Sequence, residues 1–412
     1  MSAASQCRHC RQDLTLVLAD LGLSPVANDY VAIEGAPKAD PLYPLKVFVC
    51  SNCRLAQTFD TRRADEIFTE DYAYFSSFST SWLEYAKNYV NTMKARFGLG
   101  PQSTHVEIAS NDGYLLQFSK SDGLRTLGVE PCQSVADVAI SKGIETRVVF
   151  FGEDTAKQLV ADGWSADLIT ANNVFAHVPD INDFAKGIAT VLKPEGVGTI
   201  EVQHLLRMMQ KGEFDTIYHE HFSYLSLLAA KSIFESVGLR VFDVDEVEQH
   251  GGSLRYYVCR KDASHPTSPK VQKLLDEELA YGMDKDDVYN AWNEQVVETR
   301  RAFIQLMSDL KAKGKKIAAY GAPAKGCTFL NYCGVGAETI EFTVDRAPSK
   351  QNHYIPGVRI PILAPEAIIE RKPDVVIILP WNLKKEIMNQ MAEVKSWGGE
   401  FVTAIPHPKV EA

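Results

Sequence analysis

Two C-x2-C knuckles fix what the start of this chain can fold into. Cys7-Arg8-His9-Cys10 and Cys50-Ser51-Asn52-Cys53 stand roughly forty residues apart. One knuckle lets two thiolates reach an ion from a tight turn, and two knuckles complete a tetrahedron. Four thiolates leave no open position for water, so the site they predict is structural: one Zn2+ held by Cys7, Cys10, Cys50 and Cys53. A redox pair is the competing explanation, but redox chemistry needs one pair and gains nothing from a second. The residues between include Pro25, Pro41 and Pro44 and show little periodicity. A module this small cannot bury enough surface alone and needs a metal staple. His9 offers a substitute ligand that four cysteines make unnecessary. Cys132, Cys259, Cys327 and Cys333 lack such spacing and are expected to be small buried apolar residues.

The remaining length, within 412 residues, is too great for one core. We expect a zinc module over 1–68, a nucleotide-type α/β domain over 69–260, and a second such domain with a connecting helix over 261–412. The net charge of −10 disfavours nucleic acid and anionic membrane as partners. No run of eighteen apolar residues is present, so no bilayer span is expected. The first residues lack the apolar core of a signal peptide, which makes the cytoplasm the default location.

Asp71 to Ser79 is rich in aromatics and hydroxyls, suited to covering an adenine or a sugar, or simply a linker. Trp82, Tyr85, Ala86, Tyr89 and Met93 follow at helical spacing. Thr104 to Ile108 then reads as a strand entering the turn Ala109-Ser110-Asn111-Asp112-Gly113, with a helix after it. Thr126 to Glu130 reads as the next strand, ending in an acid. This βαβ unit places Glu107, Ala109, Asn111 and Gly113 at a cofactor loop and Glu130 where a carboxylate holds ribose hydroxyls. The loop is poor in glycine. A dinucleotide pyrophosphate would demand more, whereas S-adenosylmethionine carries no phosphate there. Asn tolerates a left-handed backbone better than most residues. Ala166 to Ala171 is a further buried strand. Asn172, Asn173 and His177 beyond its carboxyl end are placed to meet a cofactor or acceptor. His177 is equally readable as a structural histidine.

Tyr218-His219-Glu220-His221-Phe222 gathers a phenol, two imidazoles and a carboxylate, all able to move protons. Taken alone it reads as a surface strand rich in histidine. His219 and His221 would share one face of such a strand, which opens a metal reading, but the H-E-x-x-H spacing of zinc proteases is absent. Downstream, His250-Gly251-Gly252-Ser253 is a glycine turn at which Gly251 and Ser253 could meet a ligand, or a plain hairpin.

Asp286 to Lys313 has an amphipathic pattern, with Val288, Trp292, Val296, Phe303, Ile304 and Leu306 as core positions. Lys316 to Gly321 reads as a strand, followed by the turn Gly321-Ala322-Pro323-Ala324-Lys325-Gly326. Helix-start amides and Lys325 suit a pyrophosphate, although the P-loop pattern is not matched. Asp345 ends one later strand, and Trp381 and Asn382 end another. An acid suits ribose and a Trp–Asn pair suits a base, while Lys350 heads a polar loop able to reach the same ligand.

The knuckles, Glu107 to Gly113, Tyr218 to Phe222, His250 to Arg255 and Gly321 to Gly326 occur in this order. That order resembles the bacterial nucleotide-sugar C-methyltransferases of branched deoxysugar biosynthesis, over nearly the whole chain. The resemblance implies zinc in the first domain, S-adenosylmethionine in a Rossmann-like middle domain and a dTDP- or GDP-linked sugar on a second Rossmann-like domain. It implies methylation at C3 of a 4-keto-6-deoxy sugar. By residue match it makes His221 the base, with Tyr218 and Glu220 beside it and Tyr72 and His177 lining the site. His219 is the least required. Ala109 departs from the family's usual glycine. A proton next to a ketone is within reach of an imidazole base, and the enolate formed needs a donor at its oxygen. A monomer or weak dimer is expected. A nicotinamide-dependent nucleotide-sugar dehydrogenase or epimerase is the alternative enzyme, and a non-catalytic S-adenosylmethionine sensor the alternative class.

Overall fold

In a computed structural model of the chain, residues 6–37, 39–59, 66, 75–247 and 252–411 are described. Three sheets organise them. The first is antiparallel, with spatial order Leu16–Ser24, Tyr43–Val49, Ala56–Thr58 and Ser223–Tyr224. Its last strand comes from far along the chain. Arg11 and Arg54, each just after a knuckle, adopt φ of 63° and 61°. Their amides donate to Cys7 and Cys50 carbonyls at 3.0 and 2.9 Å, so the two knuckles close by the same turn.

The second sheet has spatial order Leu239–Val247, Ser253–Arg260, Leu192–Gln203, Ala166–Asn172, Thr104–Ile108, Arg125–Val129 and Thr146–Arg147. The last five run parallel and the first two form an antiparallel hairpin. All five residues of Thr104–Ile108 are buried, as expected of a central strand covered on both faces. That burial includes His105, whose ring nitrogens each lie 2.8 Å from a hydroxyl, of Ser119 and of Thr170. The helix Thr80–Phe97 begins at Ser79, whose hydroxyl accepts from the Trp82 amide, and ends at Gly98 with φ 63°. Ala86, Tyr89, Val90 and Met93 form its buried face.

The third sheet has spatial order Lys409–Glu411, Glu400–Thr403, Val375–Ile378, Ile317–Tyr320, Thr343–Val344, Pro361–Leu363, His353–Tyr354 and Val31–Ala32. Its edge strand is thus lent by the N-terminal module. The connecting helix Asp287–Ala312 buries Trp292, Val296, Phe303 and Met307. Ile304, expected in the core, is instead exposed, because the helix is covered on a narrower stripe than the sequence pattern suggests. One apolar cluster runs from Leu45 and Val47 through Met209, Phe214, Trp292 and Phe303 to Phe329 and Val375. That cluster joins the first and third sheets, while the second sheet packs in a separate cluster that also takes in Cys7, Leu14, Cys50, Cys53 and Leu55 of the N-terminal module. Cys132, Cys259, Cys327 and Cys333 are all buried. Among the described residues no helix is long and apolar enough to cross a membrane.

Candidate active site

The four knuckle sulfurs lie within 4.8 Å of one another. Cys7 and Cys53 Sγ are 3.5 Å apart, and Cys10 and Cys50 Sγ 3.4 Å. Four thiolates at about 2.3 Å from one ion need similar spacing, so this donor set fits Zn2+. His9 is engaged elsewhere, its Nδ1 2.7 Å from Asn182 and its Nε2 3.1 Å from Ser232.

At the end of Thr104–Ile108 the chain turns through Ala109, Asn111 and Gly113 at φ 54°, 49° and 75°. Glu130 holds this turn from the neighbouring strand. Its carboxylate accepts the Asn111 amide on one oxygen and the Cys132 amide on the other, both at 2.9 Å. Each oxygen keeps a lone pair for a further donor. Burial pushes the Glu130 carboxyl up, and the two amides oppose that shift. Asn172 donates to the Tyr114 hydroxyl at 3.3 Å, while its own Oδ1 is buried with no hydrogen-bond partner. Asn173, at φ 54°, donates its amide to the Glu201 carbonyl at 2.7 Å. Trp82 stacks on Tyr114 at 5.8 Å. Glu107 lies beneath the turn, 1% exposed and pushed well up by burial, and is not part of the cavity wall.

The residues from Tyr218 to His221 form a turn, with His219 and Glu220 buried and Tyr218 and His221 half-buried, not a surface strand: the His221 amide donates to the Tyr218 carbonyl at 3.0 Å. The turn is clamped because Phe222 donates to the Ala176 carbonyl at 2.8 Å and accepts from the Thr58 amide at 3.1 Å. His219 and His221 consequently diverge. His219 is buried edge-on to Tyr43 at 6.0 Å, whereas His221 faces Tyr218 and His177 at ring distances of 4.0 and 4.7 Å. The shared-face geometry of the metal reading is absent.

Two hydrogen bonds fix the tautomers. His221 Nδ1 lies 3.0 Å from the Thr216 carbonyl and His177 Nδ1 2.8 Å from the Glu220 carbonyl. A carbonyl only accepts, so both Nδ1 atoms carry the proton in the neutral rings and Nε2 is the basic nitrogen. Burial holds His177 down at about 4, so it stays neutral at pH 7. The Glu220 carboxylate turns to the N-terminal module, accepting from Asn28 Nδ2 at 2.7 Å. It is the Glu220 backbone carbonyl that orients an imidazole.

On the third sheet, Pro323, Ala324, Lys325 and Lys350 reach the cavity. Gly321, Ala322, Asp345, Trp381 and Asn382 stand behind them. Asp345 accepts the Ala322 and Ala347 amides at 2.8 and 2.9 Å, and Asn382 Oδ1 accepts from Lys325 at 2.8 Å. Trp381 donates its indole N–H to Asp215 at 2.7 Å and lies under the Lys325 ammonium at 4.2 Å. Their polar atoms brace the turn and Lys325. Burial pushes the Lys325 amine down, opposed by Asp215 and Glu213. Those carboxyls are raised by burial to about 6 and about 8. Ser253 is buried at the start of its strand, off the cavity wall. Tyr72 and Gly251 lie outside the described residues.

One cavity of about 770 Å³ joins these parts. Ala109, Asn111, Glu130, Asn172 and Asn173 line it from the strand ends of the second sheet, His177, Tyr218 and His221 from the segments that follow that sheet's strands, and Lys325 and Lys350 from the third-sheet domain. Sequence reasoning missed Asn28, Gln203, Thr216 and Phe150, which also line it. Asp215 and Glu213 were missed too, although two acids just before Tyr218 were a visible signal.

Three family models match the chain: a zinc binding domain over residues 7–68, a methyltransferase domain over 82–244 and a C-methyltransferase C-terminal domain over 248–406. The chain is 34% identical to the C-methyltransferase NovU of Streptomyces niveus over 405 residues, covering 98% of this chain and 96% of that protein. It is 25% identical over 154 residues to a ubiquinone biosynthesis O-methyltransferase of Bartonella tribocorum, covering 34% of this chain and 60% of that protein. A solved S-adenosylmethionine-dependent methyltransferase from Clostridium acetobutylicum matches 48% of this chain and 95% of its own, at 13% identity and TM-score 0.34.

Proposed function

The chain belongs to the C-methyltransferase family, and from that membership we propose that it methylates C3 of a nucleotide-linked 4-keto-6-deoxy sugar through an enolate. S-adenosylmethionine supplies a sulfonium methyl group, whose transfer to carbon leaves the bond's electrons on sulfur. Glu130, Asn111 and Asn172 are the residues that would hold it, with ribose hydroxyls offered to the remaining Glu130 lone pairs and a donor to the orphaned Asn172 oxygen.

The observation that carries the reading is the single cavity lined by an imidazole with its basic nitrogen at Nε2, a ribose-type carboxylate and two lysines. Nε2 of His221 takes the proton from C3, and the freed electron pair spreads into the C4 carbonyl as an enolate. The neighbouring Tyr218 phenol is the donor offered to the enolate oxygen. Carbon then takes the methyl group, and His221 later returns its proton to solvent. His177, kept neutral, places no second positive charge beside the imidazolium 4.7 Å away. Lys325 and Lys350 suit the diphosphate of a thymidine or guanosine carrier.

Incubation with S-adenosylmethionine and a dTDP- or GDP-linked 4-keto-6-deoxy sugar should give a product heavier by one methylene, with the new methyl on C3 by NMR. Methylation at oxygen or at another carbon would overturn the C3 assignment. Binding of NAD(P) without S-adenosylhomocysteine would restore the dehydrogenase alternative.

A further inference from the structure

The N-terminal module leaves its own sheet after Ser24 and runs along the third sheet. Val31 and Ala32 pair with Tyr354 and His353, and the Ile33 amide donates to Asn352 at 3.1 Å. Asp40 accepts from the Gly357 amide at 2.7 Å and from Arg359 at 2.6 Å, more than three hundred residues away in sequence. Such pairing anchors the segment between Ser24 and Val31, whose Asn28 lines the cavity. Two of its side chains meet the acceptor half of the site. Tyr30 donates its hydroxyl to the Ala322 carbonyl at 2.5 Å, in the turn that precedes Lys325. Lys350 donates to the same carbonyl at 2.9 Å and lies over the Tyr30 ring at 5.2 Å. Asn28, on the cavity wall, donates to the buried Glu220 carboxylate, whose residue also holds His177 through its carbonyl and precedes His221.

We infer that Tyr30 and Asn28 are positioning residues of the acceptor site, so that the metal-stapled module sets the lysine end and the imidazole end of the cavity together. This rests on the reading that Lys325 and Lys350 meet a nucleoside diphosphate. Tyr30 fixes the Gly321–Pro323 turn and, through its ring and their shared carbonyl, the Lys350 ammonium. Asn28 supplies a donor to a carboxylate that burial would otherwise penalise, and so pins the apex of the Tyr218–His221 turn. Among the described residues the side-chain hydrogen bonds and ring contacts of Tyr30 and Asn28 go to Ala322, Lys350 and Glu220 and not to Ala109, Asn111 or Glu130, so the cofactor half should respond independently of them.

The test is calorimetry on the full-length, zinc-containing chain with S-adenosylhomocysteine, thymidine diphosphate and guanosine diphosphate, together with steady-state kinetics. Tyr30→Phe keeps the ring and removes one hydrogen bond, so the chain stays folded. It should weaken the preferred diphosphate about fivefold and leave the S-adenosylhomocysteine Kd unchanged. Asn28→Ala should lower kcat about tenfold with the same unchanged cofactor Kd. Unchanged diphosphate Kd in Tyr30→Phe together with wild-type kcat in Asn28→Ala overturns the inference and leaves the proposed function standing. Parallel loss of both Kd values overturns it as well, since the module would then be a general scaffold. A wild-type chain that binds neither diphosphate defeats the acceptor reading itself, and this inference with it.

Discussion

His177 and His221 meet edge to face with ring centroids 4.7 Å apart, and each spends Nδ1 on a backbone carbonyl. Both carbonyls belong to the segment around the turn, Thr216 for His221 and Glu220 for His177. Two imidazoles thus present Nε2 as the basic nitrogen, and burial removes one of them from the competition for protons. Burial thus keeps His177 neutral beside His221, a constraint made by the fold.

Replacing His221 tests that arrangement. His221→Ala should lower kcat by roughly 10²–10⁴-fold, the usual contribution of a positioned base. Calorimetry should show S-adenosylhomocysteine binding as in wild type, because the ring packs on Tyr218, His177 and Tyr224 whereas Glu130 braces the turn after Ile108. His177→Gln should cost less than His221→Ala, since it removes an orienting neighbour. A variant lacking His221 that turns over at the wild-type rate removes it from the base role.

The lysines should act on binding. Lys325→Ala and Lys350→Ala each delete a cation from the cavity wall. Loss of a charge-assisted contact predicts an acceptor KM raised about tenfold or more, with the S-adenosylmethionine KM unchanged. Lys325→Ala should be the more disruptive, because it also strips the counter-charge from the buried carboxyls Asp215 and Glu213. Equal rises in both KM values would place the lysines outside the acceptor site.

What the sequence disclosed was local and what it hid was distant. The knuckles were legible because ligand spacing is a short-range constraint. The turn after Ile108 was legible because Asn111 and Gly113 are residue types that accept a left-handed backbone. Tyr218 to Phe222 announced proton chemistry by composition, yet its shape did not follow. Residue identity does not say that Glu220 turns to Asn28, 192 positions away, or that Ser223 and Tyr224 join the first sheet. Trp381 and Asn382 fell behind the cavity for the same reason, with Asp215 and Lys325 claiming their polar atoms from other parts of the chain.

The turn after Ile108 offers a pair of substitutions with opposite signs. Ala109 sits at φ 54°, where an L-residue is strained by about 1–2 kcal/mol and glycine is not. Ala109→Gly should therefore stabilise the chain in urea by up to about 1 kcal/mol after the glycine's unfolded-state entropy is offset. Gly113 is at φ 75°, and a Cβ there would run into Ile144 and press on Ala139. Gly113→Ala should destabilise the fold and weaken S-adenosylhomocysteine. The same sign for both changes would contradict the turn described here.

Metal removal should reach the chemistry although the metal touches no substrate. Ser223–Tyr224 is the last strand of the first sheet, and it begins two residues after His221. Thr58, in the adjoining strand, donates its hydroxyl to the His221 carbonyl at 3.0 Å. Metal analysis should find one zinc per chain, absent from Cys50→Ser. That variant should lose turnover while retaining part of its S-adenosylhomocysteine binding, because the Glu130 wall belongs to another sheet. Full turnover in a zinc-free chain would show that the first sheet holds without its staple.

Acidification should weaken the fold through His105. Burial between Ser119 and Thr170 holds this ring at about 3, against 6.5 ordinarily. Between those values the unfolded chain binds the extra proton and the folded chain does not, so stability rises with pH. The contribution is complete above pH 6.5 and is lost as pH falls toward 3. Each unit of displacement is worth about 1.4 kcal/mol. Carboxyls raised by burial, such as Glu130 and Glu213, act in the opposite sense, so the measurement must compare variants. Urea midpoints at pH 7.5 and pH 5 should drop more steeply for wild type than for His105→Gln, whose amide keeps a donor and an acceptor but does not titrate. Parallel slopes for the two proteins would mean that His105 is not held neutral by the fold.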